Sequence, residues 1–141
     1  MVAPARGSRA VAMADRSADW LAQAERDLEM ARLALDAGIY EWACFVSQQA
    51  AEKAIKGLYE SLHGTTRGHS VSQLLQLLPP EAAPPSELIE QARVLDQYYI
   101  PTRYPNGFDT GAPKDYYTRD NAAAAVDYAK TIFGFCRGMV P

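Results

Sequence analysis

Four stretches of the chain carry apolar residues at helical steps of three and four with a short leucine-rich stretch among them, glycine or proline punctuates the breaks between them, and no stretch alternates with period two. That period is the signature of helices buried along one stripe, and it excludes a sheet as the organising layer. From Ser17 to Ala37 the stripe is Leu21, Ala24, Leu28, Ala31 and Leu35, with Gly38 as its stop. A second helix from about Glu41 to Leu62 carries Cys44, Ala51, Ile55, Leu58 and Leu62 on one face and Gln49, Lys53, Lys56 and Glu60 on another, and Gly64 ends it. The loop between them is only a few residues, so the two form an antiparallel hairpin. Ser70 and Gln73 make a capping-box pattern ahead of a short leucine-rich helix that must stop at Pro79-Pro80. After the linker PPEAAPP, Ser86 caps a fourth helix with the stripe Leu88, Ala92, Leu95 and Tyr99, ended by Pro101. The fifth begins near Thr118 or Arg119, runs to about Gly138 and turns Ala122, Val126, Ala129, Phe133 and Cys136 inward. The expected fold is all-α: an up-and-down bundle of about five helices, four longer and one short, spanning residues 16–141 as one domain.

Residues 1–15, MVAPARGSRAVAMAD, show no periodicity and read as a disordered tail, with Met13 an alternative start. A balance of 14 Lys+Arg against 17 Asp+Glu gives a net charge of -3, which removes the broad pull on phosphate that a non-specific nucleic-acid binder needs. Any nucleic-acid contact must be local. The two cysteines, Cys44 and Cys136, stand far apart with no metal-type spacing, so neither a metal site nor a disulfide framework is expected, and both read as small core residues of a cytoplasmic protein. No apolar run approaches the roughly 18 residues of a membrane span.

The segment YIPTRYPNG places Arg103 between Tyr99 and Tyr104 and between two prolines that fix their own φ and push the preceding residues towards extended backbone. A stiff loop aims its side chains. Arg103 there can clamp a phosphate while Tyr98, Tyr99 and Tyr104 offer ring faces to a base; alternatively it ties the loop to Asp96 or Asp109, with Tyr99 in the core. Lys53 and Lys56, three apart on a helix, can converge on one anion, or sit on a solvated face with Lys56 paired to Glu52 and Glu60. Gln48 and Gln49 suit a ligand-facing amide pair or a close helix contact. His69 can donate to a phosphate, or pack over the third helix. Trp20 and Trp42 read as core or interface anchors, and Asn106 to Asp115 as a flap or a plain crossover.

The run Gln48 to Lys56 (QQAAEKAIK), His69 opening the third helix, and Arg103-Tyr104-Pro105 occur in an order and at distances that resemble the HEPN family, named for higher eukaryotes and prokaryotes nucleotide-binding, over roughly Trp20 to Phe135. The resemblance implies a five-helix bundle, a homodimer, an ATP-like nucleotide or RNA as ligand, and a minimal nucleotidyltransferase as partner, in a toxin-antitoxin or stress module. Ribonucleases of the family carry an Arg, four to six residues, then a His. Here the positions that many residues before His69 are Gly64, His63 and Leu62, and before His63 are Leu58, Gly57 and Lys56, so that motif is absent. No catalytic residue, metal or cofactor is expected. Arg103, Tyr104, Tyr99, Lys53, Lys56 and His69 are the candidate ligand-binding residues. The alternatives are a metal-independent endoribonuclease with a degenerate site drawn from Lys56, His63, His69 or Arg103, and a dimerisation scaffold using small-residue faces at Ala50 and Ala122 to Ala125.

Overall fold

A computed structural model describes residues 15–141, so the expected tail lies, but for Asp15, outside the described residues. The helices are α1 (Ser17–Asp36), α2 (Tyr40–Ser61), the short α3 (Val71–Gln76), α4 (Ser86–Asp96) and α5 (Arg119–Met139), with single 3-10 turns at Pro80–Ala82, Pro105–Gly107 and Pro113–Asp115. There is no strand among the described residues, and none of their helices is long and apolar enough to cross a membrane. The all-α bundle of four longer helices and one short one is therefore the fold.

The α1–α2 hairpin turns at Gly38, whose φ of 77° is the left-handed conformation that a residue without Cβ adopts at low cost. α2 is the central helix, packed along α1 on one side and α5 on another, while α3 and α4 close the remaining face. Its small residues permit this. Ala43, Ala50, Ala51 and Ala54 are fully buried, and a Cβ built on Gly57 would sit 3.1 Å from the Trp20 Cβ and 3.3 Å from the Ser17 carbonyl oxygen, so α1 and α2 touch backbone to backbone there. Ile55, Leu58, Leu75, Leu95 and Ile132 fill the centre.

Of the small-residue faces proposed for a scaffold, Ala50, Ala122 and Ala125 are consumed inside the single chain, while Ala123 and Ala124 are half-buried. Stripes also shift near helix ends: Ala34 is buried and Leu35 only partly, Ile132 takes the core position expected for Phe133, and Tyr98 is buried where Tyr99 was expected. The last shift has a cause. α4 ends at Asp96, earlier than Pro101 requires, and Tyr98 N–H bonds the Leu95 carbonyl at 2.9 Å, tightening the turn and rotating Tyr98 inward. Pro85, not Ser86, occupies the cap of α4, and no side chain caps it. Gly64 is not the special residue after α2; His63 holds the positive φ, 59°. Ser70 does cap α3, accepting from Gln73 N at 3.2 Å, and Thr118 caps α5 reciprocally with Asn121.

Candidate functional site

Three bonds build the loop after α4. Thr102, buried, donates through Oγ1 to the Tyr98 carbonyl at 2.6 Å; Arg103 N–H bonds the Ile100 carbonyl at 3.1 Å; and Arg103 Nε donates to the Tyr99 carbonyl at 2.9 Å. The Arg103 side chain is thus fixed to its own loop, and its guanidinium carbon lies 4.4 Å from the Phe45 ring centre, 4.9 Å from Tyr99 and 5.2 Å from Tyr104. All three are cation–π distances. Asp96 is not its partner: that carboxylate accepts from Val71 N at 2.6 Å, Ser72 N at 3.3 Å and the hydroxyls of Ser70 and Ser72 at 3.0 and 2.5 Å, which anchors α3 to α4. Arg103 has no carboxylate within ion-pair distance among the described residues. Its terminal nitrogens have no hydrogen-bond partner among the described residues.

Tyr99 connects this platform to a second cluster. The His69 ring stacks on it at 4.5 Å with 19° between planes, and His69 Nδ1 lies 3.0 Å from Oε2 of Glu52. Glu52, on α2, is buried, and its Oε2 also accepts from Lys56 Nζ at 2.8 Å while Oε1 accepts from Gln48 Nε2 at 3.0 Å. Because Oε2 is an acceptor for Lys56, the hydrogen in the His69 contact sits on Nδ1. Nε2 of His69 then has no hydrogen-bond partner among the described residues. Gln48, fully buried, also donates to the His69 carbonyl at 3.0 Å, and Gln49 donates to Gln48 at 2.7 Å. Gln48 thus braces Glu52 and the His69 backbone from inside, half-buried Gln49 holds Gln48, and Gln48 itself has no exposed surface to offer a ligand or an interface.

The structure therefore joins Arg103, Tyr104, Tyr99, His69 and Lys56 through Tyr99 and Glu52. It leaves Lys53 apart: its Nζ pairs with Asp27 of α1 at 2.7 Å. The lysines do not converge on one anion, and Glu60 accepts from Arg16 N–H at 3.2 Å rather than pairing with Lys56. Sequence reasoning missed Phe45 and the pivotal place of Glu52. Trp42, read as a core or interface anchor, is 47% exposed and meets Phe45 edge-on at 5.8 Å. Asn106 to Asp115 is folded on itself, with Phe108 stacked on Tyr116 at 4.3 Å, Asp115 accepting from Ala112 N at 2.9 Å, and Tyr116 OH donating to the Thr110 carbonyl. Burial pushes the thiols of Cys44 and Cys136 up to about 12, so both are inert core residues. No cluster of metal-ligating side chains occurs among the described residues.

The sequence profile of the HEPN domain matches residues 17–139. The chain belongs to the HEPN family. Three solved structures resemble it closely. The protein TT1696 from Thermus thermophilus is 44% identical with a TM-score of 0.87, the match covering 89% of this chain and 99% of that one. ST0689, described as an archaeal HEPN homologue, is 44% identical with a TM-score of 0.77, covering 91% and 100% of the two chains. A HEPN domain protein from Thermotoga maritima, TM0613, is 36% identical with a TM-score of 0.71, covering 86% and 96%. Among curated proteins, none matches.

Proposed function

We propose that this HEPN domain binds a nucleotide or single-stranded RNA without turning it over, with Arg103 holding a phosphate and Phe45, Tyr99 and Tyr104 supplying the ring surface. The observation that carries this is the state of Arg103: oriented by the Tyr99 carbonyl, pressed on three rings, and facing no carboxylate among the described residues. A guanidinium held in that way has little left to lose on binding, and its fork matches phosphate oxygens. His69 and the ion-paired Lys56 stand beside this site, joined through Glu52; Lys53 belongs to the α1 contact instead. Chemistry would then lie with a partner, and the HEPN resemblance suggests that a homodimer of this chain acts with a minimal nucleotidyltransferase, within a toxin-antitoxin or stress module. Calorimetric titration of ATP and of a short RNA into wild type and Arg103→Ala tests the reading. Binding weakened about tenfold or more by the substitution, the effect of losing a hydrogen bond to a charged group, supports it. No binding to wild type refutes it.

The Glu52–His69 contact favours a second reading. A histidine with Nδ1 fixed on a buried carboxylate, and with no hydrogen-bond partner for Nε2 among the described residues, is arranged to accept a proton, and the Lys56 ammonium sits on the same carboxylate. That arrangement suits a metal-independent endoribonuclease, with exposed His63 as a further candidate. RNA left intact in EDTA would eliminate it.

A further inference from the structure

Beside the ring platform a cleft of about 180 Å³ lies between the first turn of α2 and the Pro113–Asp115 turn, with Glu41, Trp42, Arg103, Pro113 and Lys114 in its lining. Pockets for drug-sized ligands run from about 300 to 1,000 Å³, so this one takes a single flat ring system, mono- or bicyclic, and not a whole nucleotide. Its apolar walls suit that ring. Trp42 contributes an indole 47% exposed, set edge-on by Phe45, and Pro113 is buried and fixed in its turn. Aromatic and flat apolar surfaces of this kind are where unstacked bases rest. The polar lining pairs an acceptor with a donor: half-buried Glu41 and exposed Lys114, whose Nζ lies 2.9 Å from Asp115 Oδ1. Glu41 and Lys114 line the same cleft, and the hydrogen bond to Asp115 chiefly holds the Lys114 ammonium protonated.

A carboxylate only accepts. Among the common bases, guanine alone presents two adjacent donors, N1–H and the exocyclic amine, next to an acceptor, O6. Adenine and cytosine offer one amine beside a ring acceptor, and uracil one N–H between two carbonyls. Building on the phosphate site proposed at Arg103, we infer that this cleft is a guanine pocket, in which Glu41 accepts from N1–H and the amine, Lys114 donates to O6, and Trp42 covers a ring face. Arg103 lines the cleft and belongs to the ring platform, so base and phosphate of one nucleotide are held side by side. A free guanine nucleotide and a guanosine in single-stranded RNA share this chemistry.

The test is titration of wild type, Glu41→Gln and Lys114→Ala with GMP, AMP and UMP, and with a hexauridylate with and without one guanosine. A good bidentate contact discriminates between bases by about tenfold or more. The expected result is that preference for the guanine-containing probes in wild type, reduced severalfold in each variant while affinity for the uridine probes is unchanged. Preference for GMP among mononucleotides points to a free nucleotide as the ligand; preference seen only with the oligomers points to RNA. Equal affinity for all bases, or a guanine preference that survives both substitutions, overturns the pocket while leaving the Arg103 site standing. Failure of every probe to bind wild type overturns both.

Discussion

Glu52 organises the cluster that links α2 to His69, and its removal has a predictable consequence. It accepts three hydrogen bonds, from Gln48 at 3.0 Å, Lys56 at 2.8 Å and His69 at 3.0 Å, with its side chain only 7% exposed. Bonds to a charged group contribute about 1.5 to 3 kcal/mol each, so a simple sum exceeds about 4 kcal/mol. Two effects reduce it. Burial of the carboxylate itself carries a desolvation penalty of several kcal/mol, and on its loss Lys56 and His69, with side chains 17% and 53% exposed, return to water. Gln48 cannot, but it keeps the His69 carbonyl as a partner. The net loss expected for Glu52→Ala is about 2 to 4 kcal/mol, and for Glu52→Gln, which keeps the volume and one acceptor, about 1 to 2 kcal/mol. Urea unfolding followed by circular dichroism measures it as a lower midpoint at unchanged slope. A loss below about 0.5 kcal/mol for Glu52→Ala, the range of an ordinary surface change, would show that the cluster does not hold the fold as described.

His63→Gly should stabilise the protein by up to about 1 kcal/mol, because a left-handed residue with a Cβ sits after α2, and a lower melting temperature would contradict that account. Alkaline pH should be unusually damaging. Cys44 rises from 9.0 and Tyr98 from 10.0, each to about 12, chiefly through desolvation by burial, so the folded chain holds protons that the unfolded chain releases. The stability they contribute is complete below about pH 9 and is lost between there and about pH 12, which melting curves across that range will show. The thiols themselves should resist aromatic disulfide reagents at about pH 8 until the protein is unfolded.

The helices were legible because period and punctuation agree: Gly38, Ser70, Thr118 and the proline pairs mark breaks between stripes that each bury one face. The misplaced residues cluster at helix ends. Tyr98 and Tyr99 differ by one position, and which of them turned inward depended on where α4 stops, at Asp96, where the Tyr98 N–H bond to the Leu95 carbonyl tightens the turn. His63 took the left-handed place beside a glycine that was free to take it. Arg103 was legible as a fixed side chain, since the prolines announce the loop, yet its partner was a carbonyl four residues back and not a carboxylate. Lys53 and Lys56 looked equivalent along the helix. They part because Asp27, 26 residues earlier on α1, stands opposite one, and Glu52 stands beneath the other. Glu52 likewise looked like half of a local pair, and only the return of His69 from 17 residues away made it a centre.

The most direct test of the central claim is the salt dependence of RNA affinity for wild type and Arg103→Ala. If Arg103 holds a phosphate, wild-type affinity falls as salt rises, and the substitution both weakens binding and lowers the slope of log K against log salt by about 0.7, the value for one contact on a single strand. Equal slopes and equal affinities for the two proteins would mean that Arg103 only braces its own loop, and the phosphate-site account would fail.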